Sequence, residues 1–307
     1  PPGAGGRARP EPADPYRTCF ERDRDRILHS SAFRRLAGKT QVFVFPADHQ
    51  RTRLTHALEV AQVATAVARA VGLNVALVEA IALGHDCGHG PGGHASEEAL
   101  DPMVEGGYDH AVWGADVVLS PLNLCLETLD GVRNHSWSRP APATPEGVVV
   151  SWADRCAYSA HDLEDAVTAG IVSVDDLPPA VSEVVGRTRS SQLREFIAAL
   201  VGCVRDHQVV GMDTDHAAAL GALRGFNYER IYSRPASVAQ AGAVVAVLRA
   251  LVEAFAERPH LLPGAAAGGA DPLRRAVTYV GGMTDRFAFE TASTLLGWPP
   301  ERLPRGV

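Results

Sequence analysis

The sequence has few of the residues that build disulfide-bonded or thiolate-metal proteins. Its 307 residues include five cysteines, scattered at positions 19, 87, 125, 156 and 203, and no Cys-x-x-Cys pair. An odd number of cysteines at such spacings indicates neither a disulfide framework nor a zinc knuckle. We also find no apolar run long enough to span a membrane and no signal peptide ahead of the globular part. These absences favour a reducing, cytoplasmic compartment and no membrane partner.

The chain also lacks an overall positive charge. It is 46% hydrophobic and 21% charged, as is ordinary for a globular protein, and its formal net charge is −7. A surface that binds nucleic acid by general electrostatic attraction is therefore not expected. Residues 17–53, however, include nine Lys or Arg and only four Asp or Glu, which gives this segment a net charge of +5. This segment predicts either a local anion site or a solvated helix with ion pairs, since the charges of residues 22–26 alternate in sign.

Strand-forming patterns are almost absent. Residues 41–45 are β-branched and aromatic and end at Pro46, so they predict either a short strand or an extended loop. The remaining pattern predicts an all-α fold without internal repeats. The Pro/Gly/Ala-rich residues 1–15 predict a disordered segment, and residues 16–307 predict a single helical domain with a helical C-terminal extension. We expect helices at about 16–38, 51–71, 75–85, 95–103, 111–119, 123–132, 148–168, 190–204, 217–223, 237–256 and 272–296, with residues 284–285 capping a further helix inside the last.

One stretch concentrates chemically active side chains. Residues 83–94 contain three histidines, one aspartate and five glycines, and the pair His85-Asp86 directly follows an apolar helical run. Neutral imidazole and carboxylate together suit a hard or borderline divalent metal, and glycine permits close approach of a ligand. This stretch therefore predicts the centre of an active site.

Further candidate ligands lie on other helices. With His56 and Asp154, the pair His85-Asp86 makes a set of two imidazoles and two carboxylates. Such a mixed set suits Mn, Fe, Co, Ni, Zn or Mg and differs from a closed thiolate zinc site. On an octahedral ion it would leave two positions, for water and for a phosphate oxygen. By contrast, we interpret His207, His216 and His260 as ordinary core or surface histidines.

Several side chains near these candidates suit a phosphorylated sugar. Asp154, Tyr158 and Asp162 are spaced i, i+4, i+8 and predict one stripe on a helix face, where a tyrosine could stack under a sugar and a carboxylate could accept from its hydroxyl. For Asp162 and Asp165, ordinary salt bridges are an equally good interpretation.

Other side chains suit the phosphates and proton transfer. His89, His94 and His110 are candidates to donate hydrogen bonds or protons, and Glu97 is placed to orient His94. Arg53, one turn before His56, is a candidate phosphate clamp.

The order His … His-Asp … Asp resembles that of the HD-domain metal-dependent phosphohydrolases. A further set of motifs, spread over about residues 16–290, resembles the deoxyguanosine triphosphate triphosphohydrolase (dGTPase) family. These motifs are Arg22-Asp-Arg-Asp-Arg-Ile27, Ala32-Phe-Arg-Arg-Leu36, Lys39-Thr-Gln-Val42, Arg51-Thr-Arg-Leu-Thr-His56, Ala80-Ile-Ala-Leu-Gly-His-Asp86, Ala157-Tyr-Ser-Ala-His-Asp-Leu-Glu-Asp165 and Gly282-Met-Thr-Asp-Arg286.

The resemblance implies an all-α HD fold and metal-dependent hydrolysis of dGTP, and of other deoxynucleoside triphosphates, to deoxynucleoside and inorganic triphosphate. It also implies a homo-oligomer and a nucleotide activator. Independently of the resemblance, the basic segment could make a weak local site for single-stranded nucleic acid. By motif position, the metal ligands would be His56, His85, Asp86 and Asp154; the catalytic residues His94, Glu97, His110 and His89; and the substrate contacts Gln41, Arg53, Tyr158, Asp162 and Arg35.

The central loop departs from the family pattern. Cys87, Gly90 and Gly92 stand where leucine, threonine and phenylalanine are usual, so we expect a more flexible loop, a roomier pocket near Gly92 and altered base selectivity. Two other interpretations remain open. One is a different HD-domain phosphohydrolase, such as a nucleotidase or phosphodiesterase. The other is a non-catalytic nucleotide-binding regulator or single-stranded nucleic-acid binder.

Overall fold

The computed structural model describes residues 5–46, 48–263 and 271–305. Within these ranges the chain is helical and contains no strand, only isolated β-bridges between Thr40 and Thr52 and between Arg7 and Cys125. The all-α prediction is confirmed. The run 41–45 is a loop, as one of the two interpretations had it.

Fourteen α-helices follow one another along the described chain. They are α1 Cys19–His29, α2 Ser31–Arg35, α3 Arg53–Val71, α4 Val75–Gly84, α5 His94–Leu100, α6 His110–Trp113, α7 Leu126–Asn134, α8 Pro145–Thr168, α9 Pro179–Ser182, α10 Arg189–His207, α11 Thr214–Asn227, α12 Pro235–Glu257, α13 Pro272–Gly281 and α14 Asp285–Leu296.

Local capping explains where the helices differ from the expected ones. The expected helix at 16–38 breaks at Ser30, whose backbone is extended and whose hydroxyl accepts from the Phe33 amide, so that α2 starts afresh. Helix α8 begins at Pro145, earlier than expected, because Thr144 caps it and a proline suits the first turn. The short α9 was not predicted.

The apolar side chains form two cores. The first core gathers α1, α3, α4, α7, α8, α10 and α11, and the second gathers α5, α12, α13 and α14. Small residues such as Ala57 and Ala64 on α3 and Ala153 and Ala157 on α8 are fully buried, which lets these two helices approach closely. That approach brings their polar side chains together at one end of the interface.

Helix α12 is more apolar than the sequence analysis allowed. It has 23 residues and contains an 18-residue window with a mean hydropathy of 1.7, enough by length and composition to cross a membrane, which corrects the expectation that no run reaches that length. Its residues from Val244 to Phe255 nevertheless pack in the second core, as those of a core helix do.

The N-terminal segment also differs from expectation. Residues 1–4 lie outside the described residues, but residues 5–15 pack against the helices. The Arg7 guanidinium pairs with the buried Asp23 at 2.7 Å, and the Gly5 amide donates to Glu127. An ordered partner for a buried carboxylate explains why this part of the segment is fixed although its composition suggested disorder.

Candidate metal centre and active-site cavity

Three parts of the first core bring four polar side chains together. His56 lies in the first turns of α3, His85 and Asp86 follow the end of α4, and Asp154 lies on α8. His56 Nε2 is 3.2 Å from Asp154 Oδ1 and 3.3 Å from His85 Nε2, and His85 Nε2 is 3.4 Å from Asp86 Oδ1. Metal–ligand bonds of about 2.0–2.2 Å put neighbouring ligand atoms roughly 3–3.5 Å apart. The four side chains therefore fit the coordination of a single divalent ion.

Neighbouring groups fix both imidazoles. His85 Nδ1 donates to the Ala82 carbonyl over 2.7 Å, which leaves Nε2 free to offer its lone pair. His56 Nδ1 lies 3.2 Å from His161 Nε2, and His161 Nδ1 lies 2.5 Å from Glu59 Oε2. A carboxylate behind a histidine in this way orients a metal ligand and raises its basicity.

The charges of the site suit a cation. Burial alone would raise the pKa of Asp86, but the guanidinium of Arg53 and the nearby histidines hold it well below its usual range. Burial alone would also raise the pKa of Asp154, but contacts with His56 and His85 lower it. Burial lowers the pKa of His85. The carboxylates are thus ionised and His85 is neutral at pH 7, the forms that bind a metal.

A second cluster adjoins the first. Its members His89, His94, Glu97 and His110 offer ligand or hydrogen-bonding atoms within 4.8 Å of one another. Glu97 contacts Nδ1 of His110 and accepts from its amide at 3.2 Å, and the other Glu97 oxygen is 3.6 Å from His94 Nδ1. The ring of His89 stacks on that of His110 at 3.7 Å. Glu97 therefore orients His110 more directly than His94, whose side chain is 74% exposed.

His135 joins the two clusters. Its Nδ1 donates to the Val132 carbonyl at 2.8 Å, and its Nε2 lies 3.2 Å from Nε2 of His110. Burial lowers the pKa of His135 to about 3, so its Nε2 is an acceptor. Burial alone would lower the pKa of His110, yet Glu97 raises it. His110, whose pKa is raised by Glu97, is thus held between that carboxylate on one side and a neutral imidazole on the other.

Both clusters open into one cavity of about 510 Å³, a size that suits a small ligand. Metal-site and catalytic candidates line it, and so do the expected substrate contacts Gln41, Arg53, Tyr158 and Asp162. Asp154, Tyr158 and Asp162 all face the cavity, as their helical spacing predicted.

Comparison with known proteins agrees with this arrangement. The HD domain family matches residues 53–159, the span from α3 to α8 that contains all four candidate metal ligands, and the phosphohydrolase-associated domain family matches residues 210–294. A deoxyguanosinetriphosphate triphosphohydrolase-like protein of Caldanaerobacter subterraneus is 39% identical over 92% of this chain and 86% of that relative. The chain belongs to the deoxyguanosinetriphosphate triphosphohydrolase-like family of HD-domain proteins.

Other relatives carry the same name. Those of Cereibacter sphaeroides and Clostridium perfringens are 36% and 38% identical, over 95% and 92% of this chain and 97% and 88% of theirs. A solved structure of a hypothetical protein from Aquifex aeolicus aligns with a TM-score of 0.51 at 20% identity, over 88% of this chain and 70% of that one, which shows a shared fold. Membership of this family makes the chain an HD-type hydrolase with a divalent metal site.

One substrate contact implied by the family resemblance lies elsewhere. Arg35 does not line the active-site cavity; it lines a second cavity with Gly282 and Arg286. Helix α2 ends at Arg35, and Nη1 of this side chain lies 3.6 Å from the position that a Cβ would take at Gly282. The alternating charges of α1 also resolve as ion pairs, with Arg22 and Arg26 both bound to Glu11. The basic segment thus contributes Arg53 alone, of its arginines, to the active-site cavity.

Two other arginines of the active-site cavity were not predicted from the sequence. Arg155 follows Asp154 and is buried, with its guanidinium 3.5 Å from that carboxylate, and Arg224 on α11 donates to the Tyr158 hydroxyl at 2.7 Å. The adjacency of Arg155 to Asp154 was a usable signal. Nothing in the sequence linked Arg224 to the site, since it lies 66 residues after Tyr158.

The carboxyl group of Asp162 has an unusual environment. The Tyr232 hydroxyl donates to Oδ2 at 2.6 Å, and Oδ1 is buried with no hydrogen-bond partner among the described residues. Burial raises the pKa of Asp162 to about 7. No basic side chain pairs with Asp162 within the described residues, so the ordinary salt bridge considered for it does not form there. Asp165 does pair, with Arg51.

The central loop is held more tightly than expected. The Gly92 amide donates to Asp285 at 2.8 Å, and the Gly90 amide donates to Ser96 at 2.9 Å. Gly92 has φ +72°, and a Cβ there would lie 2.4 Å from Cγ1 of Val244. The expected extra room near Gly92 is thus occupied by Val244 on α12, and both amides are anchored.

Proposed function

We propose that this protein hydrolyses deoxynucleoside triphosphates, dGTP among them, to deoxynucleoside and inorganic triphosphate. One observation carries the proposal. Three of the four candidate metal ligands line a single cavity with Arg53, Arg155 and Arg224 and with His110, which Glu97 orients; the three are His56, Asp86 and Asp154. The names of the relatives point to the same reaction class.

His56, His85, Asp86 and Asp154 would hold the divalent ion, and their mixed nitrogen and oxygen donors admit Mn, Mg, Co, Fe, Ni or Zn. When bound, such an ion lowers the pKa of water and neutralises phosphate charge. The protein's part is to keep the donors deprotonated and to exclude bulk solvent. Burial keeps His85 neutral, Arg53 and the nearby histidines keep Asp86 ionised, and the buried position of these side chains keeps bulk solvent from them.

The arginines suit the phosphate chain. Arg53 donates to Asp86 at 2.6 Å through one nitrogen, while its Nε and Nη2 are buried with no partner among the described residues. Buried guanidinium hydrogens without acceptors cost free energy, and phosphate oxygens would supply acceptors. Arg155 likewise has a buried Nε without a partner within the described chain.

Proton transfer falls to the second cluster. In the proposed reaction a water oxygen bonds to the α-phosphorus, and the bond from that phosphorus to the 5′ oxygen of the nucleoside breaks. The 5′ oxygen must gain a proton as it leaves. His110, whose pKa is raised beside Glu97, and His94 at the open side of the cavity are the available donors. His89, stacked on His110, holds that ring in place.

The other end of the cavity suits deoxyribose. Gln41 Oε1 and Asp162 Oδ1 are buried acceptors without partners among the described residues, and Tyr158 offers a ring face. Hydroxyl groups of a sugar would satisfy these acceptors. Gln41 is where we expect a 2′-hydroxyl to be excluded, an assignment that rests on the family resemblance.

Chromatography of the products from each of the four deoxynucleoside triphosphates, with Mn, Mg, Co or no added metal, tests the proposal. Equal amounts of deoxynucleoside and inorganic triphosphate support it. Monophosphate, diphosphate or pyrophosphate would instead indicate another HD-domain nucleotidase or phosphodiesterase. Tight binding without turnover under all conditions would indicate a regulator.

Three further proposals concern the state of the protein in the cell. They are a cytoplasmic location, which rests on the scattered cysteines, and assembly into a homo-oligomer and stimulation by a nucleotide, which rest on the family resemblance. Light scattering of the purified chain tests the second of them directly, since a single monomeric mass at micromolar concentration would reject it.

A further inference from the structure

Trp137 lies in the loop between α7 and α8, in a turn that the Arg139 amide closes by donating to the Ser136 carbonyl at 2.9 Å. Its side chain is 44% exposed, so it is not a core residue. Trp137 is not among the described residues that line the active-site cavity, although its neighbours His135 and Ser136 are. The ring therefore lies next to the cavity wall and does not itself contact what the cavity binds.

Two arginines of the active-site cavity lie over this one ring. The guanidinium carbon of Arg155 is 4.3 Å from the ring centroid of Trp137, and that of Arg224 is 5.2 Å from it. Both distances are within the roughly 6 Å at which an aromatic face attracts a guanidinium group, and tryptophan attracts it most strongly. Trp137 thus joins a cation on α8 to a cation on α11.

Apart from this ring, the two guanidinium groups have few partners. Arg224 donates to the Tyr158 hydroxyl at 2.7 Å and makes no ion pair within the described chain. Nη1 of Arg155 donates to two backbone carbonyls, at 3.2 and 2.6 Å, and lies 3.5 Å from Asp154. Its Nε is buried without a partner among the described residues. Because like charges in one cavity repel each other, a contact that holds both is significant.

The ring of Trp137 is itself held by α8. It lies 4.9 Å from the ring of Trp152 at an interplanar angle of 76°, an edge-to-face arrangement that aromatic pairs favour. Trp152 packs against the first core. Trp152 and Arg155 are three residues apart, so they lie on one face of α8. Trp137 packs on that face and from there reaches Arg224.

We propose that Trp137 is a positioning residue, whose ring holds Arg155 and Arg224 in place for the triphosphate chain of the substrate. This inference rests on the proposed function, because it takes the two arginines as contacts of the phosphates. An aromatic face attracts a cation and leaves its N–H groups free, whereas a carboxylate would compete with phosphate for them. A guanidinium group that is already in place loses less conformational entropy when the anion binds, so the ring tightens binding.

Calorimetric titration of inorganic triphosphate in EDTA, which withholds the metal, measures this effect without turnover. Trp137→Leu removes the aromatic face and Trp137→Phe keeps one. Trp298→Leu is the matched control: the guanidinium of Arg302 lies over Trp298 at 4.1 Å, and neither residue belongs to the described lining of the active-site cavity. The binding event that Arg224→Gln weakens is the one compared among the variants. Thermal denaturation confirms that each variant is folded.

We expect Trp137→Leu to raise the Kd of inorganic triphosphate about tenfold, and Trp137→Phe to raise it less than about threefold. Trp298→Leu should bind as the wild type does. In an Arg224→Gln background, Trp137→Leu should raise the Kd by a smaller factor, because one of the two arginines is gone.

Four results of this titration would overturn the proposal. They are an unchanged Kd in Trp137→Leu, the same factor in both backgrounds, equal losses in Trp137→Leu and Trp137→Phe, and no binding event that Arg224→Gln weakens. An equal loss in Trp298→Leu would overturn it too, since that ring is not at the site.

Steady-state kinetics distinguishes positioning of the phosphate contacts from a general structural role. With metal added, Trp137→Leu should raise KM for dGTP about tenfold and keep kcat within about threefold of the wild type, because contacts to the phosphates are made in the ground state as well as the transition state. Binding of Mn in equilibrium dialysis should be unchanged, although Arg155 adjoins Asp154. A lower kcat at constant KM, or weaker Mn binding, would overturn the proposal.

The proposed function and this inference fail in different experiments. Absence of deoxynucleoside triphosphate hydrolysis by the wild type would reject the proposed function. The titration of inorganic triphosphate would still show whether Trp137 holds the two arginines for a phosphate chain.

Discussion

Glu97 contacts Nδ1 of His110 with one carboxylate oxygen and faces His94 with the other. This pairing raises the pKa of His110 and orients its ring in the cavity. We expect Glu97→Gln to lower kcat by about 10²–10³-fold, because a neutral amide neither raises the pKa of His110 nor fixes its tautomer. The neighbouring Glu98→Gln, on the exposed side of α5, serves as the control and should leave kcat within twofold. Metal content should be normal in both, and an unaffected kcat in Glu97→Gln would remove this pair from the mechanism.

The Glu59–His161 pair supports the metal ligand His56 from behind. We expect Glu59→Gln to weaken binding of Mn by about 10–100-fold in equilibrium dialysis, as loss of such a partner does at other metal sites. Glu164→Gln is a close control, because Glu164 pairs with the same arginines, Arg51 and Arg189, without touching His161. Equal metal affinity in the two variants would show that the pair has only a structural role.

The raised pKa of Asp162 implies that the stability of the fold depends on pH. Burial raises that pKa from 3.8 to about 7, so the folded protein holds this proton more tightly than the unfolded chain. The resulting stabilisation is complete below about pH 4 and is lost as the pH rises through about 7.

Asp162→Asn removes this titration. We therefore expect its free energy of unfolding in urea to fall less between pH 5 and pH 8 than that of the wild type, by at most about 3 kcal/mol. Asp175→Asn, at an exposed carboxylate, is the control. Parallel pH dependence of Asp162→Asn and the wild type would contradict the assignment.

Alanine substitutions at Gly92 and Gly72 distinguish the cost of backbone strain from the cost of crowding by a neighbouring side chain. Both have positive φ, +72° and +76°, but a Cβ at Gly92 would meet Val244 whereas nothing lies within 4 Å of one at Gly72. We expect Gly72→Ala to cost roughly 1–2 kcal/mol from the left-handed backbone alone, and Gly92→Ala to cost about 1–3 kcal/mol more from overpacking. Adding Val244→Ala should recover part of the excess. Equal costs at the two glycines in urea unfolding would show that Val244 does not fill the space.

The four candidate metal ligands could be predicted from the sequence because their order and local context are distinctive. His85 and Asp86 are adjacent at a helix end, and His56 and Asp154 each sit on a strongly patterned helix. Their supporting residues were not accessible. His161 contacts His56, which lies 105 residues away in the chain, and His135 contacts His110, which lies 25 residues away. No local sequence pattern indicates such contacts.

Errors of the fold prediction have local physical causes. The helix expected at 16–38 is interrupted because the Ser30 hydroxyl caps a new helix, a competition that apolar periodicity does not reveal. Residues 5–15 were expected to be disordered from composition, yet Arg7 finds the buried Asp23. The room expected at Gly92 is filled by a side chain more than 150 residues away, so only the packing of α12 could show it.

The most direct test of the account is the product analysis of dGTP hydrolysis by the wild type and by Asp86→Ala, with metal content measured in parallel. We predict deoxyguanosine and intact inorganic triphosphate in equal amounts from the wild type, and loss of both bound metal and turnover in Asp86→Ala. Release of dGMP with pyrophosphate would contradict the proposed breaking of the bond between the α-phosphorus and the 5′ oxygen, and full activity in Asp86→Ala would contradict the assignment of the metal site.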